Sequence, residues 1–192
     1  MKKTLILFLF LTITNLFAQK KYSFPSGYKI YKDVYDKQVR VDKDFDNDGK
    51  LDLAIMTEKE NENGDNYLFV FLSSTFNVDE ISYYIPIQGA AGYNLEFTKQ
   101  VLTIGGCFGN GRYCETYKFK YYPNLKNMRL IGYDEEAFGN AVNDGAYNKS
   151  INFLTKKMEY SEGKKIIKKI NIGIITLENF DENIREKLNN LQ

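Results

Sequence analysis

Histidine and tryptophan are both absent from this chain of 192 residues. Without histidine, the chain lacks the commonest general base, a common zinc ligand and every Ser-His-Asp triad. It also contains no glycine-rich phosphate loop and no Gly-x-Ser-x-Gly elbow, so the nucleotide-binding and hydrolase motifs built on those sequences are excluded. These absences favour a protein that is not an enzyme, although carboxylates remain available for acid/base chemistry.

An excess of charge of one sign is lacking as well. The chain has 26 basic and 25 acidic residues, for a formal net charge of +1. A nearly neutral chain offers no electrostatic reason to expect nucleic acid or an anionic membrane surface as a partner. Its length is sufficient for one hydrophobic core, and no linker, low-complexity block or repeat divides it. We therefore expect a single domain.

The first 18 residues have the pattern of a secretory signal peptide. Two lysines at positions 2 and 3 form a short positive region, residues 4–18 are uncharged, and Ala18 is a small residue suited to cleavage. A membrane anchor is the alternative, but a helix that spans a bilayer needs roughly 20 apolar residues. We expect residues 1–18 to be removed, which leaves residues 19–192 as one β-rich domain, secreted or periplasmic and without a membrane anchor.

Cysteine is scarce, since Cys107 and Cys114 are the only two. An exported protein with a small, even number of cysteines usually pairs them. Asn110-Gly111 between them is a strong signal for a two-residue hairpin turn, which places Cys107 opposite Cys114. Opposed residues on antiparallel strands have Cα atoms about 4.5–5.5 Å apart, within disulfide range. A redox-active pair is the alternative, but the spacing is not Cys-x-x-Cys, so we expect a structural disulfide that stabilises by about 2–3 kcal/mol.

Most of the chain has the period of β-strands. Residues 67–72 form a continuous apolar run, which indicates a strand buried on both faces. Residues 116–121 alternate, so that Tyr117 and Phe119 share one face while the intervening lysines face solvent. Residues 164–175 include four lysines, which suits an exposed edge strand. Further strands are expected at 81–87, with Pro86 indicating an edge or an end, and at 93–98, 100–104, 128–133 and 150–154.

The C-terminal end is the one region with a convincing helical pattern. Asp181 can cap residues 182–188, in which Ile184 and Leu188 lie one turn apart. The predicted fold is therefore all-β, with mostly antiparallel sheets in a sandwich-like or partial-propeller-like arrangement and a short C-terminal helix.

The stretch of residues 44–52, Asp-Phe-Asp-Asn-Asp-Gly-Lys-Leu-Asp, places four carboxylates around one glycine. These charges repel one another unless a cation lies among them, and calcium takes six to eight oxygen ligands at about 2.3–2.6 Å. Carboxylates at loop positions 1, 3 and 5 converge when the backbone coils around an ion, and Gly49 permits the sharp turn that follows. An ordinary solvated turn is the alternative, but it needs fewer acidic residues. The predicted ligands are Asp44, Asp46, Asp48, the backbone carbonyl of Lys50, and Asp52.

Residues 44–54 resemble the calcium loop of FG-GAP/VCBS-type repeats, in which aspartates at the matching positions bind calcium between two strands. An EF-hand loop would instead need Glu at position 12, where this chain has Ile55, and flanking helices, whereas the flanks here alternate as strands do. The resemblance covers residues 38–57 in one copy, whereas propellers built from such repeats contain several. The remainder of the chain, including residues 117–121, 130–133 and 150–155, resembles small exported bacterial proteins of unknown role that carry a single loop of this kind. The resemblance implies calcium and says little about biological role.

These observations predict a secreted or periplasmic calcium-binding β domain that acts by binding a protein partner, with an inhibitor or immunity-type protein as one form of that role. One alternative is an exported hydrolase that uses carboxylates. Residues 134–136, Asp-Glu-Glu, are the obvious cluster for it, but we interpret them as a solvated turn after a strand. The other alternative is a glycan-binding module. The 15 tyrosines favour this alternative, and the absence of tryptophan weakens it. Inward-facing carboxylates in a cleft away from the acidic loop would favour the hydrolase.

Overall fold

A computed structural model of the protein describes residues 24–60, 65–75, 83–88, 93–109, 111–139 and 145–191. Residues 1–18, the predicted signal peptide, lie outside the described residues, as do the first two residues of the strand predicted at 81–87. The described residues form β1 (Tyr28–Ile30), β2 (Arg40–Lys43), β3 (Asp52–Lys59), β4 (Asp65–Phe71), β5 (Tyr83–Gln88), β6 (Asn94–Thr98), β7 (Val101–Phe108), β8 (Tyr113–Tyr122), β9 (Asn127–Phe138), β10 (Ala146–Asn152), β11 (Lys157–Glu162), β12 (Lys164–Lys169), a 3-10 helix (Leu177–Asn179) and α1 (Glu182–Asn189).

These strands form two antiparallel sheets. In the five-stranded sheet, β3 has β4 on one side and shares its other side between β2, which pairs with its first four residues, and β1, which pairs with its last three. The seven-stranded sheet is a meander in which β6 to β12 lie side by side in chain order. Neither sheet is closed. The prediction of an all-β fold with mostly antiparallel sheets and a short C-terminal helix is confirmed.

The two sheets share one hydrophobic core. Met56 and Leu68 from the five-stranded sheet and Leu102 and Phe119 from the seven-stranded sheet belong to one cluster and are each 0% exposed. The other face of β3 and β4 is also buried, and there Phe69 packs against Phe24 with ring centroids 5.7 Å apart. Strand β4 is therefore buried on both faces, as its continuous apolar run predicts.

The sheet edges and the helix also follow their sequence signals. The proline-containing strand β5 ends the five-stranded sheet, and the lysine-rich strand β12 ends the seven-stranded sheet with all its residues exposed. At the start of α1, Asp181 Oδ1 accepts a hydrogen bond of 2.9 Å from the backbone N–H of Ile184, which is the predicted N-cap. Leu188 at the other end of α1 is fully buried.

The cysteine hairpin is confirmed. Strands β7 and β8 pair in the predicted register, with Phe108 opposite Tyr113 and Cys107 opposite Cys114. The two cysteines form a disulfide with their Cα atoms 4.0 Å apart. Gly111 in the connection has a φ of +79°, a conformation that glycine adopts without strain.

The interpretation of residues 134–136 as a solvated turn is wrong. All three lie inside β9, and Glu135 is only 3% exposed. A buried carboxylate needs compensation, which Glu135 receives from the ammonium of Lys149 on β10, 2.7 Å away, and from the hydroxyls of Tyr133 and Tyr147. The sequence signal was misleading because Lys149 and Tyr147 become neighbours of Glu135 only through the pairing of β9 with β10.

Candidate metal centre

The acidic loop joins β2 to β3 as the connection of an antiparallel hairpin in which Lys43 faces Asp52. Two residues of the loop adopt positive φ, Asn47 at +62° and Gly49 at +83°. Asparagine and glycine are the residue types that tolerate this conformation best, so the sequence itself permits the backbone to coil. The predicted position of the loop between two strands, with Gly49 at its sharp turn, agrees with the structure.

Three of the predicted ligands converge. Asp44, Asp46 and Asp48 each present a carboxylate oxygen, and these three oxygens all lie within 4.8 Å of one another. Two oxygens that bind the same calcium ion, each at about 2.3–2.6 Å, are at most about 5 Å apart. The spacing of the three carboxylates is therefore compatible with a single ion among them. Asp46 is 8% exposed, and Asp48 is open to solvent.

Backbone N–H groups of the loop orient these carboxylates. The N–H of Asp48 donates to Asp44 Oδ1 at 3.2 Å and to Asp46 Oδ1 at 3.1 Å, and the N–H of Gly49 donates to Asp44 Oδ2 at 3.0 Å. These donors reduce the mutual repulsion of the carboxylates. Each ionised carboxylate offers about four lone pairs, so an oxygen that accepts one such hydrogen bond can still bind a cation.

Two serines that were not among the predicted site residues also contact the carboxylates of the loop. Ser73 Oγ donates to Asp48 Oδ2 at 2.7 Å, and Ser74 Oγ donates to Asp46 Oδ2. Both serines follow β4, and the pairing of Leu53 with Phe71 brings the end of β4 beside the loop. The apolar runs of β3 and β4 indicate two strands. Only the pairing register of these strands shows that residue 73 lies beside the acidic loop.

Asp52 is not one of the three converging carboxylates, and it is fully buried. Its Oδ2 accepts the N–H of Phe45 at 2.6 Å, and its Oδ1 accepts the N–H of Ser73 at 2.6 Å. Burial raises the pKa of Asp52, whereas the hydrogen bonds from Ser73 and Phe45 act to lower it. The Asp52 side chain therefore ties the start of the acidic loop to the segment after β4. Its role as a closing metal ligand stays a prediction.

Lys50 places its ammonium near the loop. Its Nζ lies 3.6 Å from Asp48 Oδ2, and its side chain is mostly exposed. Desolvation acts to raise the pKa of Asp48, but the hydrogen bonds from Ser73 and from the Lys50 backbone, together with the Lys50 charge, outweigh it and lower the pKa. Asp48 is thus held in the ionised form that a metal ion requires. The Lys50 carbonyl as a ligand stays a prediction.

A second group of charged side chains lies away from the loop, on the inner face of the seven-stranded sheet. Glu115 pairs with Arg185 of α1 at 3.0 Å, and Glu135 pairs with Lys149 at 2.7 Å. All four side chains are between 2% and 7% exposed. Tyr117 also donates to Glu115, at 2.8 Å. These inward-facing carboxylates are already paired and shielded from solvent, which suits the docking of α1 better than attack on a substrate.

A cleft of about 300 Å³ lies across β9, β10, β11 and β12. Its charged side chains are largely paired, since Glu159 binds Lys165 at 2.6 Å and Asp134 binds both Lys118 and Ser150. Three of the four carboxylates that line the cleft, those of Asp134, Glu135 and Glu159, are thus engaged with cations, and Glu136 is exposed. The cleft is lined by Asp134, Glu135, Glu136, Asn148, Lys149, Ser150, Glu159, Tyr160, Ser161 and Lys165.

No protein-family model, curated protein or solved structure matches this chain. The resemblance to FG-GAP/VCBS-type loops therefore stays an expectation that rests on the motif of residues 44–54. Among the described residues, no helix is long and apolar enough to span a bilayer.

Proposed function

We propose that this protein is an exported calcium-binding β domain that acts by binding a protein partner. The observation that carries the metal assignment is the convergence of three carboxylates within 4.8 Å in one hairpin connection. Calcium suits this donor set because it is a hard cation that accepts irregular shells of carboxylate, carbonyl and water oxygens. Magnesium demands a nearly octahedral shell at about 2.0–2.1 Å and keeps most of its water, so a loop of this kind favours calcium.

The ion would stabilise the five-stranded sheet rather than take part in a reaction. The acidic loop joins β2 to β3, and its contacts with Ser73 and Ser74 extend to the end of β4. An ion that binds only the folded loop stabilises the fold by mass action, about 2.7 kcal/mol when its concentration is 100 times the dissociation constant. Calcium in this role would hold the adjacent ends of β2, β3 and β4 together.

A binding role is supported by what the remaining charged groups do. Glu115 and Glu135 are buried in ion pairs with Arg185 and Lys149, and the chain has no histidine to act as a base beside them. Export is supported by the leader pattern of residues 1–18 and by the Cys107–Cys114 disulfide, since disulfides persist in oxidising compartments. An inhibitor or immunity-type protein is one form of this binding role.

The calcium assignment is tested by thermal unfolding of residues 19–192 after removal of metal with a chelator. Calcium at about 100 times its dissociation constant should raise the melting temperature by about 5–10 °C, because 1 kcal/mol corresponds to about 2–4 °C in a domain of this size. Asp46→Asn should abolish the increase. Asp36→Asn is the matched control, because Asp36 is an exposed turn aspartate with a φ of +62°, which asparagine also tolerates. An equal increase in both variants, or none in the wild type, would contradict the assignment.

A further inference from the structure

Strand β12 is the edge of the seven-stranded sheet. Among the residues that the structure describes, it pairs with β11 alone, and all six of its residues, Lys164 to Lys169, are exposed. An edge strand presents backbone N–H and C=O groups that a further strand can pair with. Extended peptides bind proteins in this way, with backbone hydrogen bonds for affinity and alternate side chains for specificity.

The sequence of β12, Lys-Lys-Ile-Ile-Lys-Lys, reads the same in both directions. Because side chains alternate between the two faces of a strand, each face of β12 displays one isoleucine between two lysines. Ile166 is 44% exposed and Ile167 is 59% exposed. Natural edge strands are normally protected by charge, proline, bulges or a covering segment, so two isoleucines this exposed on an edge leave apolar surface that a partner can cover.

This pattern disfavours a second copy of the chain as the occupant. In an antiparallel pair of two β12 strands in full register, isoleucine would face isoleucine, but every lysine would face a lysine. Like charges directly opposite each other on paired strands are destabilising. Repulsion between the lysines therefore disfavours self-association at this edge, while the backbone and the isoleucines remain accessible.

The same pattern favours an acidic occupant. Within the sheet, Lys169 of β12 already lies directly opposite Lys157 of β11, a pairing of like charges that an anionic neighbour would relieve. The Glu159–Lys165 pair, at 2.6 Å, shows that lysines on this edge bind carboxylates. A nucleic acid could also contact the lysines, but its phosphates would not cover the isoleucines or pair with the strand backbone.

We infer that β12 is the docking edge for an extended segment of a partner protein in which acidic residues flank two apolar residues. The inference rests on the proposed function as a protein-binding domain and adds where the partner docks and what its chemistry is. The added strand runs antiparallel to β12. Its carboxylates face the lysines, and its apolar residues cover Ile166 and Ile167.

The test uses three labelled peptides and residues 19–192 of the protein. The probe is Glu-Glu-Val-Val-Glu-Glu, and its controls are Glu-Glu-Val-Pro-Glu-Glu, which keeps the charge but loses one backbone N–H, and Lys-Lys-Val-Val-Lys-Lys. Fluorescence anisotropy should show saturable binding of the probe at least ten times tighter than that of either control. Backbone amides of residues 164–169 should gain protection from hydrogen exchange when the probe is bound.

Two variants separate this edge from general electrostatic attraction. Lys169→Glu should weaken probe binding several-fold without unfolding the protein, because it replaces the like-charge pair with Lys157 by an opposite-charge pair. Ile167→Thr removes the apolar contact and keeps a β-branched residue, and it should also weaken binding. The matched control is Lys120→Glu, since Lys120 is an exposed lysine on the interior strand β8 of the same sheet, and it should bind as the wild type does.

Equal binding of the valine and proline peptides, protection away from β12, or tighter binding of a single-stranded oligonucleotide than of the probe would each overturn the inference. All titrations are run in calcium and in chelator, beside the thermal unfolding described above. If the probe binds at β12 but calcium does not change the melting temperature, the docking edge is supported and the calcium centre is overturned. A calcium effect on melting without probe binding would overturn the docking edge alone.

Discussion

Lys149 and Glu135 face each other across β10 and β9 as a buried ion pair, with Nζ 2.7 Å from Oε2 and side chains that are 2% and 3% exposed. The same ammonium donates to the backbone carbonyl of Leu188 at 3.1 Å and to that of Asn189 at 2.7 Å. It thus also caps the C-terminal end of α1, where a positive charge interacts favourably with the helix dipole. One lysine joins the inner face of the seven-stranded sheet to the helix.

Replacing this lysine should destabilise the fold strongly. Lys149→Met leaves the Glu135 carboxylate buried without its counter-charge, and breaking a buried pair in this way costs about 3–5 kcal/mol. Urea denaturation would measure the loss, with Lys120→Met as the control at an exposed lysine. The double variant Lys149→Met with Glu135→Leu should recover much of the lost stability, because no buried charge is then left without its counter-charge. A Lys149→Met protein as stable as the Lys120→Met control would show that the pair is not structural.

Gly106 should not tolerate a side chain. A Cβ atom at this position would lie 2.5 Å from Cε1 of Tyr93, whose ring is buried against the glycine. Forcing an extra methyl into such a packed position costs about 1–3 kcal/mol, so Gly106→Ala should lower the free energy of unfolding by that amount. Gly173→Ala is the matched control, because nothing lies within 4 Å of its Cβ position and its φ is not positive. Equal stabilities of the two variants would contradict the contact with Tyr93.

Local sequence signals were sufficient for much of this fold. The alternation of residues 116–121, the turn signal between the cysteines and the cap at Asp181 each act over fewer than ten residues, and each predicted its element correctly. The acidic loop is local in the same sense, because alternate aspartates and one glycine lie within residues 44–52. Such features depend on neighbours in the chain, which the sequence displays directly.

The polar contacts between residues far apart in the chain could not be predicted from local sequence signals. Glu115 and Arg185 are 70 residues apart, and Ser74 is 28 residues from Asp46. Whether these side chains contact each other depends on strand order and register, which are properties of the whole fold. The prediction for residues 134–136 was wrong for the same reason, since three consecutive acidic residues look solvated until Lys149 and Tyr147 on the paired strand are known.

Alkaline pH should unfold the protein through its buried tyrosines. Burial and the nearby Glu115 raise the pKa of Tyr117, and burial together with Tyr117 and Glu135 raises that of Tyr133. These phenols remain protonated in the folded state, whereas the unfolded chain releases their protons near its ordinary pKa of about 10. Stability is therefore fully present below about pH 10 and falls as the pH rises further, by up to about 1.4 kcal/mol per pH unit for each tyrosine.

Urea denaturation between about pH 9 and pH 11, followed together with the ultraviolet absorbance of tyrosinate, would measure this dependence. The absorbance of the buried tyrosines should rise only with unfolding. Tyr117→Phe should make the decline in stability with pH shallower, whereas Tyr35→Phe, at a side chain that is 78% exposed, should leave it unchanged. Ionisation of all the tyrosines before unfolding would contradict the burial of Tyr117 and Tyr133.

The central claim is that residues 44–52 bind calcium, and a calorimetric titration of metal-free residues 19–192 tests it most directly. The account predicts saturable binding of one calcium ion per chain, with a dissociation constant of about 10⁻³ M or tighter, as extracellular calcium modules have. Asp48→Ala should weaken that binding sharply, while Asp36→Ala leaves it intact. Absence of saturable heat in the wild type, or equal binding in Asp48→Ala, would contradict the calcium centre.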